Sequence, residues 1–190
     1  MNKAVHVLWA SLVREGDTVL DATAGNGRDT LYLAQLVGTT GHVVAIDVQA
    51  AAMASTSRRL EDAGVSERCT LHVGCHSGLG ALAAAGSLRL VCFNLGWLPG
   101  VPEGKAVITT PSTTLAALHA AESCVLADGG CISVLAYVGH KGGLEEAEAV
   151  ERWMAALDTR SWTATATRLL NRDAAPRMLT ARRKGGPLVG

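Results

Sequence analysis

Short apolar runs of strand character alternate with helical patterns through most of the chain. Residues 18–22, 43–47, 69–73, 88–94 and 131–137 are predicted as strands, and residues 29–36, 50–63, 113–126 and 144–157 as helices. Because apolar strands separated by helices are buried on both faces, the alternation predicts a parallel sheet covered by helices on both sides. The last two runs, 162–170 and 177–183, predict an antiparallel C-terminal hairpin at one edge. The expected fold class is therefore α/β, with a seven-stranded, mostly parallel sheet.

The size and composition of the chain restrict the classes of function. Its 190 residues are 48% hydrophobic and 18% charged, which favours a single globular domain over residues 1–190. No apolar run approaches the roughly 18 residues of a membrane span, and no signal peptide is predicted. The five cysteines lack metal-ligand spacing and indicate a reducing compartment. Zero net charge argues against non-specific coating of nucleic acid. Residues 150–190 nevertheless carry eight Arg or Lys against three Asp or Glu, and this positive charge suits either contacts with phosphates or solvated edge strands.

The stretch DATAGNGRDT, residues 21–30, follows the first predicted strand and opens the first predicted helix. Its glycines allow a sharp turn, and the free N–H groups of a helix N-terminus attract an anion. Asp47 ends the second strand, where a carboxylate can accept both hydroxyls of a ribose. Since Thr30 stands at the third glycine of a dinucleotide fingerprint, the loop better resembles that of S-adenosylmethionine-binding proteins. An unrelated glycine-rich turn, and more weakly a dinucleotide oxidoreductase, are the alternatives.

Other strand ends carry polar and aromatic groups that a core does not need. The fourth strand ends in FNLGWLPG, where Asn94 could accept a hydrogen bond from a target amine and Trp97 could stack on a flat base. The fifth ends in YVGHKGG, where His140 is a candidate general base. His76 follows the third strand and could line an adenine pocket. The alternatives are ordinary loops, with a core tryptophan in the first and a surface histidine in the last.

Taken together, DATAGNGRDT, AIDVQ, FNLGWLPG, ITTPSTTLAAL and YVGHKGGLEEAEAV resemble a small bacterial and plastid family once labelled putative rRNA methylase. The likeness extends over nearly the whole chain, with the motifs in the same order. Members of that family are tRNA wobble-uridine methyltransferases, which use S-adenosylmethionine to convert 5-aminomethyl-uridine, often 2-thiolated, to 5-methylaminomethyl-uridine. The resemblance implies a class I S-adenosylmethionine-dependent methyltransferase fold, which is Rossmann-like, and the anticodon loop of tRNA as partner.

The resemblance also implies roles for individual residues. A cofactor-binding role is implied for Asp21, Ala24, Gly25, Asn26, Gly27, Asp29, Thr30, Asp47, Gln49, His76 and Asn94. Substrate binding is implied for Leu95, Gly96, Trp97, Pro99, Thr109, Thr113 and His140, and catalysis for Asn94, Tyr137 and His140. Asn94 would accept an N–H of the amine, His140 would take or relay its proton, and Trp97 or Tyr137 would stack the splayed base. No metal is expected, because the transfer discharges a sulfonium.

Several alternatives stay open on the sequence alone. Methylation of ribosomal RNA or of a small-molecule amine would use the same cofactor residues, and a catalytically idle nucleotide- or RNA-binding domain could share the fold. The expected compartment is intracellular, either the cytoplasm or, if a transit peptide has been removed, the stroma of a chloroplast or other organelle. A homodimer through the edge hairpin and the apolar region around Trp9 is a further hypothesis.

Overall fold

A computed structural model describes residues 2–97 and 107–185. Within these ranges the strands are β1 (Thr18–Asp21), β2 (His42–Asp47), β3 (Cys69–Val73), β4 (Leu90–Leu95), β5 (Cys131–Ala136), β6 (Trp162–Thr167) and β7 (Arg177–Arg183). The helices are α1 (Asn2–Leu12), α2 (Arg28–Leu36), α3 (Ala50–Asp62), α4 (Pro111–Cys124) and α5 (Gly143–Ala155), with short 3-10 turns at Ser66–Arg68 and His76–Ala81. No helix in the described ranges combines the length and the apolarity that crossing a bilayer requires.

The strands form one sheet in the order β3-β2-β1-β4-β5-β7-β6. Strands β1 to β5 pair in parallel, β7 pairs antiparallel with β5, and β6 pairs antiparallel with β7. The predicted α/β class, the mostly parallel seven-stranded sheet and the antiparallel C-terminal hairpin are thus confirmed. Because Ala136 at the end of β5 pairs with Arg177 at the start of β7, the turn between β6 and β7 lies at the edge where the parallel strands end.

Both faces of the central strands, β1, β2, β4 and β5, are apolar and covered by helices. Successive strand residues point to opposite faces, so Val43 packs with the helices α1 to α3 and Val44 packs with α4 and α5. Such burial on both sides is why the strands read as continuous apolar runs rather than as alternating ones. The strand ends are the positions where this sheet can present polar groups.

Helix α1 is absent from the predicted elements. Its buried side chains, Val5, Trp9 and Leu12, recur with helical spacing and lie against the sheet. Trp9 is 1% exposed, and its Nε1 donates a hydrogen bond to Ser133 Oγ of β5 at 3.0 Å. The indole of Trp9 is therefore not available for a dimer contact, and the hypothesis of a homodimer through the region around it stays a prediction.

Two strand bounds differ from the predicted ones by more than one residue. Strand β6 ends at Thr167 and not at residue 170, because its partner β7 pairs Met178 with Thr167 and begins one residue earlier. Strand β4 begins at Leu90, and Leu88 forms an isolated bridge with Val125 after α4. The first difference leaves a longer exposed turn, residues 168–176, between the two hairpin strands.

Candidate functional site

A cavity of about 520 Å³ opens at the carboxyl ends of β1, β2 and β4. The chain order of the strands reverses here, with β2 on one side of β1 and β4 on the other. Ligands of open α/β sheets bind at such switch points. The cavity walls come from residues in segments 22–29, 47–49, 74–76, 94–97 and 107–113, together with Tyr137.

The glycine loop turns from β1 into α2 through two left-handed glycines. Gly25 has a φ of 51°, and Gly27, the N-cap of α2, has a φ of 74°. A Cβ on Gly27 would lie 2.8 Å from the Thr56 Cα of α3, so close packing as well as the turn requires glycine there. Thr56 Oγ1 donates to the Gly25 carbonyl at 2.9 Å, and Arg59 Nε donates to the Asn26 carbonyl at 2.8 Å. The N-terminus of α2 is thereby fixed against the cavity, where it suits an anion.

Asp21 lies beneath this loop. It is 1% exposed and accepts hydrogen bonds from Thr30 Oγ1 at 2.7 Å and from the Thr23 N–H at 3.2 Å. Burial first, and the nearby Asp29 carboxylate second, raise the pKa of Asp21 to about 7. Asp21, Thr30 and Gly27 are not in the cavity wall. These three therefore lie in a supporting position outside the cavity wall, and their predicted contact with a cofactor stays a prediction.

Asp47 faces the glycine loop from the end of β2. Its Oδ2 accepts the Gly25 N–H and its Oδ1 accepts the Gln49 N–H, both at 2.9 Å. These bonds fix the orientation of the carboxylate, while each oxygen can still accept from a second donor. The carboxylate is thus positioned as two vicinal hydroxyls of a ribose require.

His76 closes the third wall of the cavity from the 3-10 turn after β3. It is 8% exposed, and its ring meets Phe93 edge-on with centroids 6.0 Å apart. Burial lowers the pKa of His76 from 6.5, so the imidazole is neutral at pH 7. Its Nε2 has no hydrogen-bond partner among the described residues. Since buried polar atoms are normally paired, this nitrogen is a candidate contact for a ligand.

Asn94 and Asp29 bring an amide and a carboxylate together in the cavity wall. Asn94 Nδ2 donates to Asp29 Oδ2, and the Asn94 N–H donates to Thr23 Oγ1 at 2.6 Å. From α1, His6 Nε2 contacts Asp29 Oδ1 at 2.6 Å, and the His6 ring stacks on Tyr32 with centroids 4.1 Å apart. Because a carboxylate only accepts, the amino group of Asn94 must face Asp29 and its Oδ1 must face away. That Oδ1 has no partner within the described ranges.

A second hydrogen-bond network holds the wall that follows β4. The Gly96 N–H donates to Thr109 Oγ1 at 2.9 Å, and this hydroxyl donates to Glu146 Oε2 at 2.7 Å. Thr114 Oγ1 donates to the other oxygen of the same carboxylate, also at 2.7 Å. Glu146 is 1% exposed, so one buried carboxylate of α5 ties the segments after β4 and before α4 together.

The predicted substrate-side aromatic residues lie at the mouth of the cavity. Trp97 is 36% exposed, pairs with Ile108 through its backbone, and meets the His140 ring edge-on with centroids 4.9 Å apart. Tyr137 lines the cavity, whereas His140 does not. His140 Nδ1 contacts the Lys141 carbonyl at 3.0 Å. His140 thus lies beside Trp97 and outside the cavity wall, and its role as a general base stays a prediction.

Most of the predicted site residues meet at this cavity. Those in its walls are Ala24, Gly25, Asn26, Asp29, Asp47, Gln49, His76, Asn94, Leu95, Gly96, Trp97, Thr109, Thr113 and Tyr137. Pro99 lies outside the described residues. His6, Thr23 and Arg28 were not predicted, and the available signal for His6 was the helical spacing of apolar residues between positions 5 and 12. In the part of the chain that the structure describes, no group of three His, Cys, Asp or Glu could hold a metal ion.

A family model described as putative rRNA methylase matches residues 43–183, and a model for the ubiE/COQ5 methyltransferase family matches residues 2–81. The chain is 43% identical over 183 residues to a chloroplastic tRNA (mnm(5)s(2)U34)-methyltransferase of Arabidopsis thaliana, covering 92% of this chain and 66% of that relative's length. A crystal structure of a putative rRNA-methylase from Clostridium thermocellum has a TM-score of 0.89 at 35% identity, covering 96% of each chain. A putative methyltransferase from Streptococcus mutans, in complex with SAH, has a TM-score of 0.83 at 29% identity, covering 96% of this chain and 97% of that one.

Proposed function

This chain belongs to the putative rRNA methylase family and has a class I S-adenosylmethionine-dependent methyltransferase fold, and we propose that it methylates the wobble uridine of tRNA. The acceptor is the primary amine of 5-aminomethyl-uridine or its 2-thio form, and the product is 5-methylaminomethyl-uridine. The name of the Arabidopsis relative describes a U34 enzyme of this kind. The observation that carries the proposal is the amide of Asn94, which Asp29 fixes with its oxygen unpaired.

The cavity residues suit S-adenosylmethionine, the cofactor of this family. When bound, S-adenosylmethionine supplies an electrophilic methyl group on a positively charged sulfur. In this proposal the N-terminus of α2 and the loop around Gly25 hold its carboxylate, and Asp47 accepts the ribose hydroxyls. Gln49 and the neutral His76, with its unpaired Nε2, contact the adenine side. The donor set of this cavity therefore matches a nucleoside that carries one small anion.

Asn94 orients the acceptor amine. Because its Nδ2 is bound to Asp29, its Oδ1 is the atom that accepts an N–H of the substrate. That bond aims the nitrogen lone pair towards the methyl group, and such positioning lowers the barrier to transfer. The amine must first lose a proton, whose bonding electrons remain on nitrogen. The new C–N bond would form from this electron pair as the methyl–sulfur bond breaks and its electrons go to sulfur. Asp29 lies in the wall beside Asn94 and His140 does not, so we assign the departing proton to the Asp29–His6 side.

Trp97 and Tyr137 provide the contact for the base. Trp97 is partly exposed at the mouth, and Tyr137 lines the cavity below it. Sequence-specific recognition of RNA targets single-stranded loops, whose unstacked bases lie on aromatic side chains. The wobble position belongs to such a loop, so an uridine splayed out of the anticodon can place its aminomethyl group at Asn94. Thr109 and Thr113 also line the cavity.

Methyl transfer from labelled S-adenosylmethionine to tRNA bearing 5-aminomethyl-uridine tests the proposal. Nucleoside mass spectrometry should find 5-methylaminomethyl-uridine, and tRNA without the aminomethyl group should accept nothing. Asn94→Ala should strongly slow the transfer while calorimetry shows S-adenosylhomocysteine binding unchanged. Intact cofactor binding without transfer to modified tRNA would rule out this substrate and direct the search to ribosomal RNA or small amines.

The oligomeric state and the compartment of the protein are two further predictions. The edge strand β6 exposes every residue after Trp162, and a homodimer through this edge would double the mass found by light scattering. The compartment is predicted as the cytoplasm or an organelle stroma, which localisation of a tagged full-length protein would resolve.

A further inference from the structure

The C-terminal basic residues fall into two groups in the structure. Five of the eight have partners: Arg152 with Glu148, Arg160 with Asp158, Arg177 with Glu151, Arg183 with the Glu122 carbonyl and the Trp162 ring, and Lys184 with the Thr159 carbonyl. The side chains of Arg168, Arg172 and Arg182 have no hydrogen bond or ion pair with any described residue. Five of the eight basic side chains are therefore held by partners within the protein. The other three are the arginines without such a partner.

The three remaining arginines lie at opposite ends of the sheet. Arg182 pairs with Cys131, the first residue of β5, which puts it at the end away from the cavity. Arg168 directly follows β6, whose last residue, Thr167, pairs with Met178 near the carboxyl end of β5. Arg172 lies in the same exposed turn, residues 168–176, which we call the arginine turn. Only the arginine turn is at the cavity end.

A second cavity, of about 350 Å³, lies between the arginine turn and the start of α5. Arg168 and Arg172 line it together with Leu169, Leu170 and Leu144. Leu170 is 85% exposed, and the other two leucines are 42% and 46% exposed. Asp173 and the paired Arg177 are also in the wall, so this wall holds two guanidinium groups and one carboxylate that form no ion pair with any residue in the described ranges. Cationic groups beside an exposed apolar surface match a nucleotide, which joins a phosphate to a flat base and a sugar.

The segment after β5 lies next to a wall residue of the first cavity and next to the arginine turn. The position of a Cβ on Gly139 is 3.5 Å from the Ala174 carbonyl oxygen, so the segment after β5 abuts the arginine turn. In that same segment, the His140 ring meets the ring of Trp97, which lines the first cavity. A chain that leaves the first cavity past Trp97 therefore passes close to the arginine turn.

We propose that the arginine turn is the docking site for the phosphodiester backbone of the RNA next to the methylated nucleotide. Arg168 and Arg172 bind phosphates, and Leu170 packs on a sugar or base. The inference rests on the proposed function for the choice of RNA as the partner. It adds a surface, outside the cofactor cavity, that selects a polynucleotide over a free nucleoside or a small amine.

The double variant Arg168→Gln/Arg172→Gln tests the docking site, with Arg182→Gln as the matched control at the other end of the sheet. The probe is a fluorescent anticodon stem-loop, titrated over a series of salt concentrations, and S-adenosylhomocysteine affinity checks folding. Each phosphate contact contributes about 0.7 to 0.9 to the slope of log affinity against log salt. The double variant should bind the stem-loop at least about tenfold more weakly than wild type. The magnitude of its slope of log affinity against log salt should be smaller by about 1.5, while both values for the control match wild type.

Two other results are distinguishable. If wild type methylates tRNA and the double variant keeps wild-type affinity and salt slope, the docking site is wrong and the proposed function stands. If wild type binds no RNA and methylates only a small amine, both proposals are wrong. A separate Leu170→Ala variant should weaken stem-loop binding without changing the salt slope, since it removes apolar contact and no charge.

Discussion

Replacing Asp29 by asparagine should disable the site while leaving its shape. The carboxylate accepts Asn94 Nδ2 on one oxygen and contacts His6 Nε2 on the other, at 2.6 Å for the second. An amide in its place has one accepting oxygen and one donating nitrogen, so it cannot accept from both neighbours. Either the Asn94 amide loses its partner or flips, or it keeps a neutral and weaker bond while His6 Nε2 accepts from the new amide. In each case the charged partner that fixes the acceptor of the amine is gone.

The size of the effect follows from the type of bond that is lost. A hydrogen bond to a charged group contributes about 1.5–3 kcal/mol, and each 1.36 kcal/mol is tenfold in rate. If the bond acts through orientation of the acceptor, Asp29→Asn should slow methyl transfer about 10- to 150-fold at saturating cofactor. His6→Gln keeps the bond between Asp29 and Asn94, so we expect a smaller loss, about 2- to 10-fold.

Single-turnover transfer to modified tRNA is the assay, because it separates the chemical step from product release. Cofactor affinity is measured in parallel by calorimetry, since Asp29 also lines the cavity. A rate for Asp29→Asn within about threefold of wild type, with cofactor saturating, would refute the reasoning. So would a rate loss in Asp29→Asn that is fully additive with the loss in Asn94→Ala, since two residues that act as one unit are not additive.

Three further perturbations test the support of the site. Gly27→Ala should lower the free energy of unfolding, measured in urea, by more than Gly64→Ala does. Both glycines are left-handed, so alanine at either position costs about 1–2 kcal/mol of backbone strain. A Cβ meets open space at Gly64, whereas at Gly27 it would lie 2.8 Å from the α3 backbone. The folded protein raises the pKa of Asp21 from 3.8 to about 7. The contribution of Asp21 to the free energy of unfolding is therefore largest below about pH 4 and is lost as the pH rises to about 7. Asp21→Asn lacks this loss, so its stability relative to wild type should rise by a few kcal/mol between about pH 4 and pH 8. Thr109→Val leaves the Gly96 N–H unpaired and removes one donor from the buried Glu146, so it should lower the thermal stability by an amount equivalent to about 1–3 kcal/mol.

The sheet and the position of the site could be predicted from the sequence because each rests on local pattern. Five apolar runs separated by helices require a parallel sheet, and the carboxyl ends of parallel strands meet at one edge. The residues that follow those runs, from Ala24 to Tyr137, therefore had to converge, as the cavity wall shows.

The internal geometry of the site could not be predicted because it depends on contacts between distant segments. His6 reaches Asp29 across 23 positions of sequence, and it does so only because α1 packs its apolar face on the sheet. The supporting position of Asp21 likewise depends on the N-terminus of α2 closing over it, which hides both its oxygens. His140 has the residue type of a general base at the end of a strand, and only the course of the loop after β5 places it behind Trp97.

The antiparallel hairpin explains why the arginine turn lies at the same end of the sheet as the candidate site. Because β7 runs antiparallel to β5, it begins at the edge where the parallel strands end, and the turn that precedes it must lie there as well. A seventh strand that ran parallel would have put this turn at the other end, with Arg182 in the place of Arg168. The cofactor half of the cavity is constrained by close packing, as at Gly27, whereas the arginine turn is exposed and joins two edge strands. Substrate choice can therefore reside in residues 168–176 and change without disturbing the residues proposed to hold the cofactor.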